Sequence, residues 1–160
     1  MKKIDNVGLM LCKLQGQIFE QSVHHMRCSS AVFIREYMLS NVAQRMDSQS
    51  FLNETTYILD VYDELNAEYG ECSYGSTHYT GEELFWIGYI YRYMCYTYNV
   101  TSKYAYNLIN ASELKKLYYA YHSFDPAFAI DRILEAKNIV LGDYTRRGVE
   151  ILRALRSKNK

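Results

Sequence analysis

The chain has 160 residues, of which 49% are hydrophobic and 22% are charged, and its formal net charge at pH 7 is zero. This composition excludes an intrinsically disordered chain, because it supplies enough apolar surface to offset the entropy that folding costs. The neutral charge is also unlike that of a dedicated nucleic-acid binder, which needs a strong positive field. A chain of this length fits one domain, or one domain with a small appendage, and buries roughly 70% of its unfolded surface without a disulfide or a metal.

The sequence shows neither a targeting signal nor a metal-binding pattern. Its N-terminal segment contains Asp5, Lys13 and Glu20 and no long apolar run, so we expect no signal peptide. No stretch of about 18 apolar residues is present, which predicts that the protein does not cross a membrane. The four cysteines form no C-x-x-C pair, and the adjacent His24 and His25 would point apart on a helix. We therefore expect a cytoplasmic protein with reduced thiols and with neither a metal nor a cofactor.

Only one proline and eight glycines interrupt the periodic segments of the chain. This pattern predicts an all-α fold, a compact multi-helix bundle of about seven to nine helices. The first predicted helix spans residues 5–26, and Gly8 and Gly16 within it would allow another helix to pack closely. Its predicted buried face consists of Leu9, Met10, Leu14, Ile18, Phe19 and Val23.

Capping residues mark the helices that follow. The serines of the CSS sequence, residues 28–30, predict a cap for a helix over residues 31–39. Ser40 or Asn41 predicts a cap for a short helix through Met46, and Ser112 with Glu113 predicts the start of a later helix through Tyr121. In each case a side-chain oxygen can accept a hydrogen bond from the free amides of the first helical turn.

The next predicted helix begins at Thr55 or Thr56 and ends at Gly70, where glycine can adopt the left-handed conformation that commonly ends a helix. One face of this helix is acidic. It is predicted either to be simply solvated or to cover a cationic site on a partner protein by charge complementarity. The candidate partner-binding residues on this face are Asp60, Asp63 and Glu64.

The segment GECSYGSTHYT, residues 70–80, is predicted to be a loop because it is rich in glycine, serine and threonine. It separates an N-terminal helical half, residues 1–70, from a Tyr-rich C-terminal helical half, residues 80–160. The halves form either two units or one single domain. Thr80 and Glu83 have the spacing of a capping box, which predicts that a helix begins directly after the loop.

This next helix, predicted over residues 81–98, is rich in tyrosine and contains the only tryptophan. Apolar side chains cover most of its circumference, which predicts a central helix that is buried on several sides. Arg92 within it would need a carboxylate or carbonyl partner if it is buried. Most of its aromatic residues are predicted to lie in the core and a minority to contact a partner protein, since tyrosine is common at binding hot spots. The candidate partner-binding residues here are Tyr89, Tyr93 and Tyr96.

The segment from Leu84 to Tyr121 has the outline of a helix-turn-helix unit, because the sequence NVTS at residues 99–102 separates a long helix from a short one. A DNA-binding regulator is therefore one alternative function. The residues that would face the DNA groove are Ser102, Lys103 and Tyr106. The C-terminal region is predicted to form a basic helix, and its candidate DNA contacts are Arg146 and Arg147.

The residue patterns of several enzyme classes are missing from the sequence. It contains no glycine-rich phosphate loop, no nucleophile elbow and no histidine pair with metal-binding spacing. His122 and Asp125 lie close together, but the surrounding sequence HSFDP is typical of a helix end followed by the cap and proline of the next helix. We therefore expect that the protein is not an enzyme.

The segment from Glu82 to Ile133 resembles small all-helical proteins encoded in mobile loci of Firmicutes. The similar features are a helix with aromatic residues, a polar turn with threonine or serine before a lysine, a Tyr-rich helix, a short helix with tyrosine and histidine, and a final AIDRI-like helix. The sequence CSSAVFIREYMLSNVAQRMD, residues 28–47, resembles the N-terminal part of longer members. The resemblance covers most of residues 28–136, and the shorter members lack an equivalent of the first half.

Members of that group are encoded beside presumed toxins, some of the ADP-ribosyltransferase type, and are regarded as antitoxins or companion proteins. The resemblance implies a non-catalytic inhibitor that neutralises a cognate toxin by covering its surface. A mobile-element inhibitor of a host defence nuclease is a further alternative, because both inhibitors need only a complementary surface. A homodimer that pairs through the long apolar helix is also left open.

Overall fold

The computed structural model describes residues 1–54 and 57–141. Within these residues the protein consists of eight α-helices and one short 3-10 turn, without a β-strand, so the predicted all-α bundle of seven to nine helices is confirmed. None of these helices has the length and apolar content needed to cross a membrane. The helices, in chain order, are α1 (Asn6–His25), α2 (Ser30–Leu39), α3 (Asn41–Asp47), α4 (Ile58–Tyr69), α5 (Gly81–Tyr98), α6 (Ser102–Leu108), α7 (Ala111–Tyr121) and α8 (Pro126–Ala136), and the 3-10 turn is Ser50–Asn53.

Side-chain caps determine where most of these helices begin. Ser29 Oγ accepts a hydrogen bond from Val32 N at 3.4 Å, and Ser40 Oγ accepts one from Ala43 N at 3.2 Å, as predicted for α2 and α3. The predicted capping box at the start of α5 is also present, with Thr80 as the cap. Because a cap satisfies amides that have no partner within the helix, these short polar residues define the helix starts.

Two helix starts differ from the prediction. The helix α4 begins at Ile58, and Thr55 and Thr56 lie outside the described residues. The helix α7 begins before Ser112, because Asn110 Oδ1 accepts a hydrogen bond from the backbone N–H of Glu113 at 3.0 Å and thereby caps the helix. Asparagine is at least as good a cap as serine, so the earlier residue takes this role.

The helices α1 and α5 form the most extensive helix–helix contact of the fold, and glycines permit it. A Cβ atom on Gly88 of α5 would lie 2.8 Å from the carbonyl oxygen of Gln15 and 3.1 Å from the Cα of Gly16. A Cβ atom on Gly8 would lie 2.6 Å from the ring of Tyr96. These distances are shorter than ordinary van der Waals contacts, so the prediction that Gly8 and Gly16 allow close packing is confirmed.

The buried face of α1 is not the one predicted at its N-terminal end. Leu9 and Met10 are 41% and 50% exposed, whereas Leu11 and Cys12 are fully buried. The physical reason is that the glycines of α1 face α5. A helix surface that includes glycines allows the two backbones to approach, and this orientation turns the larger side chains of Leu9 and Met10 toward solvent.

The helix α5 lies at the centre of the fold and contacts α1, α6, α7 and α8, as its nearly all-apolar circumference predicts. One hydrophobic cluster contains buried residues from both sides of the loop at residues 70–80. Within it, the hydroxyl of Tyr91 donates to the carbonyl oxygen of Ile109 at 2.6 Å, and that of Tyr62 donates to the carbonyl oxygen of Ile18 at 2.5 Å. Tyrosine rings thereby fill the core while their hydroxyls stay paired.

Candidate functional site

A buried polar cluster joins α1, α3, α5 and α6. Arg92, which is 1% exposed, donates through Nη1 to Asp47 Oδ1 at 2.7 Å, and through Nε and Nη2 to Gln15 Oε1 at 2.9 and 2.8 Å. Its Nη2 also donates to Ser102 Oγ at 2.8 Å. Asp47 in turn accepts hydrogen bonds from the backbone N–H and the hydroxyl of Ser102 at 2.9 and 2.6 Å. The guanidinium therefore has the carboxylate partner that a buried charge requires.

This cluster contradicts the predicted DNA contact of Ser102. The residue is 1% exposed, and the carboxylate of Asp47 lies at the N-terminal end of α6, the end that would enter a DNA groove. A carboxylate at this position would repel the DNA backbone instead of attracting it. Lys103 is exposed and Tyr106 is half-buried, while α6 itself packs against α2, α3 and α5. The other predicted DNA contacts, Arg146 and Arg147, and the predicted basic helix that contains them lie outside the described residues.

The three acidic residues predicted on the outer face of α4 have different surroundings. Asp60 is exposed, and its Oδ2 accepts a hydrogen bond from the backbone N–H of Tyr57 at 2.9 Å, so it caps its own helix. Glu64 is half-buried and forms an ion pair with Arg45 at 2.7 Å. Asp63 is exposed and has neither a hydrogen bond nor an ion pair with any described residue. Two of the three carboxylates are thus engaged in contacts within the protein.

The three tyrosines predicted to face a partner are also placed differently from one another. Tyr93 is 7% exposed and lies in the core, so its assignment to a partner-facing surface is wrong; α5 is covered on more sides than a surface helix. Tyr96 is half-buried, its hydroxyl donates to Asp5 Oδ1 at 2.7 Å, and Lys2 Nζ lies 3.9 Å from its ring centre. Tyr89 is half-buried, and burial raises the pKa of its hydroxyl. Tyr89 lines a surface groove.

This groove, which we call the aromatic groove, lies between the first turns of α5 and the turn that joins α7 to α8. It is open to solvent and has a volume of about 530 Å³. It contains the chain's only tryptophan. The residues that line it are Glu20, Glu82, Phe85, Trp86, Tyr89, Tyr118, His122, Phe124 and Pro126.

Contacts between rings hold the walls of the aromatic groove in place. Trp86 meets Tyr118 edge to face, with ring centres 5.8 Å apart and an interplanar angle of 79°. Tyr118 stacks on His122, with centres 4.5 Å apart and an angle of 20°. Phe124, in the turn between α7 and α8, is 49% exposed. Because the rings of Trp86 and Tyr118 pack against each other in the free protein, binding costs them little conformational entropy.

The charges at the aromatic groove are negative. Glu20 and Glu82 are both exposed, and no lysine or arginine is among the described residues that line the groove. A Cβ atom on Gly81 would lie 3.5 Å from Cγ of Glu20, so Glu20 lies beside the first turn of α5, where Glu82 is also found. The hydroxyl of Tyr118 lies 3.5 Å from Glu82 Oε2. Aromatic faces and carboxylates therefore share one surface.

Sequence reasoning does not identify this groove. Its lining residues come from α1, α5, α7 and the turn before α8, so no single stretch of the chain shows the pattern. The sequence HSFDP, residues 122–126, predicts only a helix end and a cap, and Asp125 does cap α8. The same turn, however, also places Phe124 at the surface. A large aromatic residue inside a capping turn is a signal in the sequence that could have indicated this surface.

The cysteines are free thiols, and three of the four are buried. Burial raises the pKa of Cys12 and Cys28 to about 12 and that of Cys95 to about 11. Because the thiolate is the nucleophile and the metal ligand, these three side chains are unreactive at neutral pH. Cys72 is half-exposed. Within the described part of the chain, no three histidine, cysteine, aspartate or glutamate side chains are grouped so as to hold a metal ion.

Comparison of the chain with protein-family models, curated proteins and solved structures finds no match. The function is therefore inferred from the geometry of the protein itself. Of the surfaces described, the aromatic groove has the features that most clearly distinguish a binding site, because it is concave, aromatic and charged at its edge.

Proposed function

We propose that this protein acts by binding another protein, without catalysing a reaction, and that the aromatic groove is its contact surface. The observation that carries this proposal is the 49% exposure of Phe124 beside the half-buried rings of Trp86 and Tyr89. A concave surface lined by aromatic side chains, with a small number of polar groups beside them, is the usual form of a binding site. Tyrosine and tryptophan are enriched at binding hot spots, because each supplies a large contact area through few rotatable bonds.

Within this class, we propose that the protein is an antitoxin that neutralises a cognate toxin by covering its surface. The resemblance of residues 82–133 to toxin-associated companion proteins supports this form of the proposal. Most of the groove residues lie in that same segment, on α5, α7 and the following turn. An inhibitor of a host defence nuclease would need the same kind of surface, so the identity of the partner is what separates the two.

The contacts of the polar residues support binding as the function. Arg92 is buried and forms an ion pair with Asp47 at 2.7 Å, so its guanidinium is not exposed to a substrate. His122 Nδ1 lies 2.9 Å from the carbonyl oxygen of Tyr118, and its ring stacks on the Tyr118 ring. Asp125 Oδ1 accepts hydrogen bonds from the first turn of α8. The side chains that most resemble a catalytic pair in the sequence are thus engaged in structural contacts.

The test is a pull-down of the tagged protein from its native host, with the neighbouring genes intact and at moderate salt. Phe124→Ala removes the exposed ring of the aromatic groove, and Tyr74→Ala is the matched control. Tyr74 is 79% exposed in the loop at residues 70–80 and does not line the groove. Its substitution therefore removes an exposed aromatic ring from a different part of the surface and leaves the aromatic groove unchanged. Both variants should keep the helical content of the unchanged protein, measured by circular dichroism.

We expect the unchanged protein and Tyr74→Ala to retain one partner in stoichiometric amount, and Phe124→Ala to lose most of it. For the protein to be an antitoxin, the captured partner must be toxic to cells that produce it alone and harmless to cells that produce it together with this protein. Equal capture by all three forms would exclude the groove as the contact surface. Recovery of DNA without a protein partner would contradict this proposal and favour the alternative function of a DNA-binding regulator.

A further inference from the structure

We infer that the aromatic groove binds an arginine side chain that the partner protein inserts between its aromatic walls and its two carboxylates. This inference rests on the proposed function and specifies the chemistry of the partner. It combines two independent features of one surface, the aromatic faces and the uncompensated negative charge.

The aromatic walls favour a cation. A positive group over the face of tryptophan, tyrosine or phenylalanine is attracted by the negative charge of the ring face, and tryptophan is the strongest of the three. Trp86 is held edge to face against the buried ring of Tyr118 at 5.8 Å, so the orientation of the indole is fixed before a ligand binds. Phe124 and Tyr89 add further aromatic surface to the same groove.

The carboxylates favour the same occupant. Glu20 and Glu82 both lie at the first turn of α5, one from α1 and one from α5 itself. Neither forms an ion pair with a described residue, and the described lining contains no lysine or arginine. An apolar side chain seated here would take the two carboxylates partly out of water without offering them a partner, which is unfavourable. A cationic side chain instead supplies hydrogen-bond donors to them.

Arginine fits these features better than lysine does. The guanidinium is planar, stacks on aromatic rings and is more weakly hydrated than an ammonium group. Its fork of N–H donors can reach two carboxylates at once, whereas the lysine ammonium is a compact and strongly hydrated charge. A groove bounded by rings and by Glu20 and Glu82 therefore selects for a flat cation.

The single tryptophan provides the measurement. The indole N–H of Trp86 gives one signal in a nitrogen–proton correlation spectrum, and this signal reports on the groove directly. The probe is N-acetyl-arginine amide, and the matched control ligand is N-acetyl-citrulline amide, which has nearly the same size and shape but no charge, with a carbonyl oxygen in place of one guanidinium nitrogen. N-acetyl-lysine amide, with its α-amine blocked and its side chain free, tests the choice between the two cations.

We expect the arginine probe to shift the Trp86 signal saturably, with citrulline binding about tenfold more weakly and lysine more weakly than arginine. The double variant Glu20→Gln and Glu82→Gln should weaken arginine binding by about tenfold, while Glu71→Gln, an exposed change in the loop, should leave it unchanged. Circular dichroism of each variant checks that its fold is retained.

An absent shift, an equal shift with citrulline, or equal binding of lysine would overturn the inference. A Trp86 signal that moves with protein concentration alone would also overturn it, because a second copy would then occupy the groove. If the arginine probe fails while partner capture still depends on Phe124, the proposed function stands and this inference falls. If the probe binds while capture is independent of Phe124, the proposed function is the part that fails.

Discussion

We expect Asp47→Ala to lower the free energy of unfolding by about 3 kcal/mol. The substitution removes the 2.7 Å ion pair with Arg92 and both hydrogen bonds from Ser102, and it leaves the guanidinium in the core without a counter-charge. Losing one partner of a buried pair costs about 3–5 kcal/mol. The lower end applies here, because the Asp47 side chain is 14% exposed and water can partly reach the site that alanine would open.

The assay is urea unfolding followed by far-ultraviolet circular dichroism, with the slope of the transition checked for constancy. In a domain of this size, a loss of about 3 kcal/mol lowers the melting temperature by about 6–12 °C. The double variant Asp47→Ala and Arg92→Met removes both charges. It should be more stable than the sum of the single losses predicts, by about 2 kcal/mol, because no unpaired charge then remains buried.

The matched control is Arg132→Met on the exposed face of α8. Arg132 pairs with Glu135 at 2.8 Å, but the two side chains are 52% and 70% exposed, so this loss should cost about 0.5 kcal/mol or less. A loss below about 1 kcal/mol for Asp47→Ala, or strict additivity in the double variant, would refute the view that burial decides the energy of this pair.

Three further outcomes follow from the packing, the thiols and the caps. Gly88→Ala should destabilise the protein by about 1–3 kcal/mol in urea unfolding, because its Cβ would lie 2.8 Å from the Gln15 carbonyl oxygen. A thiol-reactive dye at about pH 8 should label Cys72 promptly in the native protein and the three buried cysteines only after unfolding. The reason is that burial raises the pKa of those three thiols. Rapid labelling of all four cysteines in the native protein would contradict the buried core. Thr80→Ala should cost about 1 kcal/mol in thermal unfolding, and Thr80→Ser should restore most of it, because the cap of α5 depends on a side-chain oxygen.

Sequence reasoning succeeded where the deciding contacts are local. The caps at Ser40, Thr80 and Asp125 act on amides two or three residues further along the chain, so the sequence predicts the starts of α3, α5 and α8. Sequence reasoning was wrong about which side chains α1 and α5 expose. Leu9 lies at the surface and Tyr93 lies in the core, because the exposure of a helical residue depends on the neighbour that packs beside it.

By itself, the sequence determined that the protein is all-helical, where most helices begin, and that a buried Arg92 would need a partner. Only the tertiary structure decided that this partner is Asp47, 45 residues away in the chain, and that Ser102 is buried beside it. It also decided that Glu20 comes to lie beside the first turn of α5 at the aromatic groove. The reason is that helix periodicity and caps are properties of neighbouring residues, whereas a groove or an ion pair between distant helices exists only after their faces have packed together.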